Sequence, residues 1–68
     1  MKYKLYVYCR RNGVSRDAGL HDECEAESDA EAQRKLYTSA FNLRRHYDTI
    51  ACTIKQDGRT VGEFTIRR

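Results

Sequence analysis

Ser28-Asp29-Ala30-Glu31 has the form Ser-x-x-Glu, which marks the start of a helix. We expect the Ser28 hydroxyl to accept from the Glu31 backbone N–H, and the Glu31 carboxylate to accept from the Ser28 N–H. Asp29 and Glu31 also place negative charge at the positive end of the helix dipole. The chain alternates like a strand before Ser28 and repeats like a helix after it, so this tetrapeptide predicts the joint between two elements.

The segment after the joint is typical of an amphipathic helix. Its apolar positions recur every three or four residues and predict one buried stripe: Ala32, Leu36, Ala40 and Leu43, flanked by Tyr37 and Phe41. The pair Glu31→Lys35 has the favourable i,i+4 order. We expect Asn42 to end the helix in a left-handed conformation.

Four segments alternate with period two, which indicates half-buried strands. Their predicted inward residues are Tyr3, Leu5, Val7, Cys9, then Leu20, Cys24, Ala26, then Ile50, Cys52, Ile54, and finally Phe64 and Ile66. Asn12-Gly13 and Asp57-Gly58 predict tight hairpin turns, since these residues tolerate positive φ. Val14 to Gly19 either continues the first hairpin or forms a loop. Asp22 interrupts the inward series, which indicates that the second strand begins after it or bulges there.

The order strand, strand, helix, strand, strand predicts one α+β domain over residues 1–68. We expect a four-stranded, mainly antiparallel sheet with a single α-helix packed on one face. Because the helix has only one apolar stripe, it can cover only one face of the sheet. The other face is then left to solvent or to a partner.

Charge is unevenly distributed along the chain. The chain has 13 basic and 10 acidic residues, and residues 17–31 hold seven of the acids and no Lys or Arg. This dense acidic middle is unusual for a chain that binds only nucleic acid and favours a docking surface of both signs. Three widely spaced cysteines indicate reduced core thiols, and no segment resembles a signal peptide or membrane span, so we expect a cytoplasmic protein without membrane contact.

No catalytic, metal or cofactor site is expected. The chain has five candidate zinc ligands, but they lack the Cys-x₂₋₄-Cys spacing of structural zinc sites. They are Cys9, Cys24, Cys52, His21 and His46. The glycines are scattered, so there is no phosphate-binding loop. We therefore expect a chain that binds rather than catalyses.

The candidate site is the uncovered sheet face. Tyrosines interleaved with basic residues suit either a protein interface or a stacking platform for single-stranded nucleic acid, and an ordinary solvated face is the plain alternative. The residues are Lys4, Tyr6, Tyr8, Arg10 and Arg11 on the first strand and Glu23, Glu25 and Glu27 on the second. The glutamates either pair with basic residues across the strands or form an acidic stripe that mimics phosphates.

A second cluster is basic. Arg44 and Arg45 follow the helix, where cations stabilise the negative end of its dipole. Together with the terminal Arg67 and Arg68 they could form an edge that contacts phosphates or an acidic partner.

The layout around Cys24 to Leu36, followed by the Asp57-Gly58 hairpin, resembles that of small virus-encoded anti-CRISPR proteins with one helix against an antiparallel sheet. The resemblance is one of topology and carries over no functional residue. It implies an inhibitor that binds a nucleic-acid-handling complex. The sequence hypotheses are thus a protein-binding inhibitor, a direct nucleic-acid binder, or a homodimer that buries its open face or edges.

Overall fold

Two β-hairpins and the helix between them make up the chain, and a computed structural model describes all 68 residues. The strands form one antiparallel sheet in the order β2-β1-β3-β4, with α1 on one face. The predicted α+β class is therefore confirmed. The elements are β1 (Lys2–Arg11), β2 (Val14–Glu25), α1 (Asp29–Phe41), a 3₁₀ segment (Asn42–Arg45), β3 (Thr49–Gln56) and β4 (Arg59–Arg67).

Both predicted hairpin turns are confirmed. Asn12 and Gly13 have φ of 54° and 76°, and Asp57 and Gly58 have φ of 50° and 79°. Positive φ at both central residues matches the right-handed twist of the flanking strands, which is why Asn-Gly and Asp-Gly suit these positions. The first turn leads directly into β2, so Val14 to Gly19 continues the hairpin and is not a loop.

The helix starts where the sequence predicts. The Ser28 Oγ accepts from the Glu31 N–H at 3.2 Å, but the Glu31 carboxylate accepts from the Glu27 N–H at 3.1 Å instead of the Ser28 N–H. The same carboxylate lies 3.1 Å from the Lys35 ammonium. The side-chain bond therefore reaches one residue further back than the capping-box pattern predicts.

The expected left-handed end at Asn42 is wrong. Asn42 has a helical φ of −64°, and the chain tightens into a 3₁₀ segment. The Leu43 carbonyl then accepts from the N–H groups of His46 and Tyr47, at 3.0 and 3.1 Å. Tightening the last turn is an alternative way to give terminal carbonyls a partner without a left-handed residue.

The core lies between α1 and the sheet. Short alanine side chains at Ala32 and Ala40 bring the helix close to the sheet, with Leu36 between them as the large buried residue of α1. The buried set is Tyr3, Leu5, Val7, Cys9, Ala26, Ala32, Leu36, Ala40, Ile50, Cys52, Ile54 and Ile66, with Cys24 and Phe64 partly buried beside it. Burial of these apolar side chains is the main force that holds the helix to the sheet.

A polar network ties the helix start to two strands. The buried Tyr3 hydroxyl donates to Asp29 Oδ1 at 2.8 Å, and the Arg59 guanidinium contacts both Asp29 carboxylate oxygens at 3.2 Å. Arg59 also donates to the Gln56 amide oxygen at 2.7 Å. The network gives the Tyr3 hydroxyl the partner that a buried polar group requires.

Leu20 does not point inward as expected. Leu5 is paired with Asp22 and Tyr6 with Leu20, so His21 is an extra residue in β2. Such a bulge confirms the irregularity predicted at Asp22. Because side chains alternate with period two, the extra residue moves the preceding residues 17–20 to the other face, until a second extra residue, Arg16, restores the original alternation. Leu20 therefore lies on the face opposite α1 and is 53% exposed.

Candidate functional site: the open face of the sheet

The side of the sheet opposite α1 is called the open face here. On β1 the buried residues alternate with outward ones, which places Tyr6 and Tyr8 on the open face as predicted. Tyr6 is half-buried and Tyr8 is 47% exposed. No element of the chain covers these rings.

The bulge at His21 adds Leu20 to the tyrosines. Leu20 is the Cα partner of Tyr6 on β2, while Ala18 and Ala51 are the partners of Tyr8 on the two neighbouring strands. Directly opposite residues have Cβ atoms about 5 Å apart, so these side chains form one apolar patch. Sequence alternation alone missed Leu20, and only the interruption by Asp22 signalled a shift.

Basic side chains lie beside this patch. Lys4 is the Cα partner of Lys55 on β3, and neither ammonium has a carboxylate within ion-pair distance. Like charges directly opposite repel each other. With Lys2 and Tyr6 they border a shallow depression of about 850 Å³ that extends to the Asp57–Gly58 turn. Three lysines and two acids, Asp57 and Glu63, line the depression, so this end of the open face presents a small excess of positive charge next to an aromatic ring.

The three glutamates do not form one stripe. Glu23 lies opposite Lys4 and 3.7 Å from the Lys2 ammonium, and Glu25 lies 3.3 Å from the terminal amine. Glu27 follows the end of β2, and its N–H caps the helix start through Glu31. The two glutamates within β2 are thus paired with cations, which fits the cross-strand interpretation better than an acidic stripe.

Arg10 and Arg11 lie on opposite sides of β1. Arg10 lies on the same face of β1 as the tyrosines, because it is an even number of residues away from them. Its guanidinium donates to the Gly13 carbonyl at 2.9 Å. Arg11 has the parity of the core residues and borders a depression with Arg16 and His46. The open face therefore includes Arg10 but not Arg11.

Of the other predicted arginines, only Arg67 lies on the open face. Arg44 and Arg45 are in the 3₁₀ segment. The Arg68 N–H donates to the Asp48 carbonyl at 2.9 Å, which brings the end of the chain beside the residues that follow the 3₁₀ segment. The Arg44 guanidinium lies 4.5 Å from the centre of the Phe41 ring. Arg67 has the parity of the open face, where its Cα partner is Thr49.

The cysteine thiols are held protonated at neutral pH. Burial raises the pKa of Cys52 to about 11, and burial also raises the pKa of Cys9 and of the less buried Cys24. Because the thiolate is the nucleophile and the metal ligand, these thiols are poorly suited to either task. No cluster of three His, Cys, Asp or Glu side chains is arranged to hold a metal ion.

No helix of the structure has the length and apolar character needed to cross a membrane. Comparisons with protein-family models, with curated proteins and with solved structures gave no significant match to this chain.

Proposed function

We propose that this chain is a non-enzymatic module that binds another protein through the open face. The observation that carries the proposal is the uncovered apolar patch of Tyr6, Tyr8 and Leu20 in the middle of a charged sheet. Interfaces between proteins share this anatomy, with aromatic residues at the centre and polar residues around them. Tyrosine is also among the residues that most often supply binding energy at such centres.

Charge indicates the chemistry of the target. The acids of β2 on this face are already paired, whereas Lys4 and Lys55 have no acidic partner. An acidic surface with a central apolar contact would complement this arrangement and speed association. The topological resemblance to anti-CRISPR proteins makes an inhibitor of a nucleic-acid-handling complex the specific form of the proposal.

The test compares two open-face variants with one on the other side of the sheet. Tyr6→Ala and Tyr8→Ala should each weaken binding to a target captured from the native host by about 2 kcal/mol or more, the usual size of a hot-spot effect. Thr38→Ala, at an exposed position of α1, should leave that affinity unchanged. Calorimetry with the purified target measures all three. If neither open-face change alters the affinity, the site assignment is wrong.

Direct nucleic-acid binding is a second candidate because Lys2, Lys4 and Lys55 border the same depression as Tyr6. Of these, Lys4 and Lys55 are unpaired, and cations beside an aromatic ring suit phosphates and a stacked base. Titration with short single- and double-stranded oligonucleotides separates the two candidates. A direct binder loses affinity steeply as salt rises, and absence of binding at low salt would eliminate it. A homodimer across the open face remains the third candidate, which light scattering at low and high protein concentration tests.

A further inference from the structure

The outer edge of β4 is open to a further strand. The Arg68 N–H donates to the Asp48 carbonyl at 2.9 Å, and Arg67 is the Cα partner of Thr49. Hydrogen-bonded and non-bonded pairs alternate in an antiparallel ladder. The backbone groups of Phe64 therefore point to β3, while those of the residues with the opposite parity point away from the sheet. The residues whose backbone N–H and C=O groups point away from the sheet are Glu63, Thr65 and Arg67.

A groove lies between this edge and α1. It has a volume of about 440 Å³, and Gln33, Tyr37 and Phe64 are among the residues that line it. Gln33 donates to the Val61 carbonyl at 2.8 Å and thereby holds the helix against β4. Gly62 leaves room for that amide, since a Cβ there would come within 2.9 Å of its nitrogen.

Exposed aromatic rings form one wall of the groove and extend it along α1. Tyr37 packs on Phe64 with ring centres 5.3 Å apart and on Phe41 at 6.1 Å. Tyr37 is 45% exposed and Phe41 is 41% exposed. On a small domain, this much uncovered aromatic surface beside an unpaired strand edge is the arrangement that receives extended peptides.

Positive charge flanks the rings. Arg34 lines the groove, and the Arg44 guanidinium lies over the Phe41 ring. Neither arginine takes part in an ion pair, and Glu63 is the one acid that lines the groove. A ligand that carries carboxylates would supply the missing partners.

A second copy of the chain is the alternative occupant of this edge, and it would be detected as a dimer that forms through β4.

We infer that the β4 edge and the adjoining groove bind an extended, acidic segment of a partner protein as a fifth strand. Its apolar side chains, at every second position, pack against Tyr37 and Phe64. Its carboxylates reach Arg34 and Arg44. This surface lies away from the tyrosines of the open face, so the inference does not depend on the function proposed above.

The probe is a phage-displayed library of random dodecapeptides, selected on the full chain. We expect enriched peptides to alternate apolar residues with others and to carry Asp or Glu. Synthetic copies should protect the amides of Glu63, Thr65 and Arg67 from hydrogen exchange. Methylation of the peptide's alternate backbone nitrogens should weaken binding about tenfold or more, because each lost hydrogen bond leaves a polar group unpaired.

Two variants of one residue test the edge itself. Thr65→Pro removes an outward N–H and should abolish peptide binding, while Thr65→Val keeps the N–H and should leave it unchanged. If the proline variant fails to fold, the methylated peptides on the unaltered protein still decide the question. The inference is overturned if no peptides are enriched, if binding survives methylation, if the protected amides lie around Tyr6, or if the protein dimerises through β4.

Discussion

Leu36→Ala and Leu20→Ala make the same chemical change on opposite sides of the sheet. Leu36 is 1% exposed in the stripe that joins α1 to the strands, whereas Leu20 is 53% exposed beside Tyr6. The sequence periodicity assigned both leucines to the core, Leu36 by the helical repeat and Leu20 by strand alternation. The pair therefore tests the packing of the helix and the bulge at His21 in one comparison.

The expected losses of stability differ severalfold. Truncation of a buried leucine costs about 2 to 5 kcal/mol, and the upper half of that range applies here because Ala32 and Ala40 are too short to fill the space. Leu20 keeps about half of its side chain in water and leaves no closed cavity, so its loss should cost less than about 1 kcal/mol. A domain of this size has a total stability of roughly 3 to 10 kcal/mol. Leu36→Ala should therefore remove roughly a third or more of the total stability, while Leu20→Ala should remove only a small part of it.

Urea unfolding followed by far-UV circular dichroism measures both variants under identical conditions. The slope of the free energy against urea should not change for Leu20→Ala if only its stability is altered. If Leu20→Ala loses as much stability as Leu36→Ala, the bulge is absent and Leu20 belongs to the core. If Leu36→Ala is neutral, α1 does not pack on the sheet, and the reasoning for an open face is refuted.

Two pH profiles and one helix cap provide further tests. The Arg59 guanidinium lowers the pKa of Asp29, so this carboxyl stabilises the fold above its ordinary pKa of 3.8 and loses that effect as the pH falls through the lowered value. Urea unfolding of Asp29→Asn should show a shallower loss in acid, and an unchanged acid profile would contradict the network. Burial raises the pKa of Cys52 from 9.0 to about 11, so its contribution is complete below pH 9.0 and is lost as the pH rises towards 11. This loss is about 2 to 3 kcal/mol at most; Cys52→Ala should be less stable at neutral pH but flatter in alkali, and parallel profiles would show that the thiol is not buried. Ser28→Ala should cost about 1 kcal/mol in thermal or urea unfolding, against little change for the control Ser39→Ala in the last turn of the helix; equal results would place the helix start elsewhere.

Local patterns were sufficient for most of the elements. The Ser28 cap, the stripe through Leu36 and the two turn dipeptides each depend on interactions within a few residues, so their signals are present in short segments. The candidate tyrosines were also found from the alternation of β1, because that strand is regular throughout. The helix stops at Asn42 as expected, but the left-handed conformation predicted there is wrong, since several ways of satisfying terminal carbonyls compete at a helix end.

Contacts between distant segments decided the rest. The position of Leu20 depends on how β2 pairs with β1, and one extra residue at His21 reversed its direction. The separation of Glu27 from Glu23 and Glu25 followed from the place where β2 ends. The groove beside Tyr37 exists only because α1 lies next to β4. The sequence predicts each of these two elements, but it does not predict how they are placed relative to each other.

The sequence by itself determined which segments are strands and helix and which side of β1 and α1 is buried, because periodicity and capping act over a few residues. The tertiary structure alone decided the strand order, the register and the bulge. These follow from the joint packing of all side chains and from hydrogen bonds between residues far apart in the chain. For the same reason, no short sequence motif predicts that Leu20, Lys4 and Lys55 lie around Tyr6.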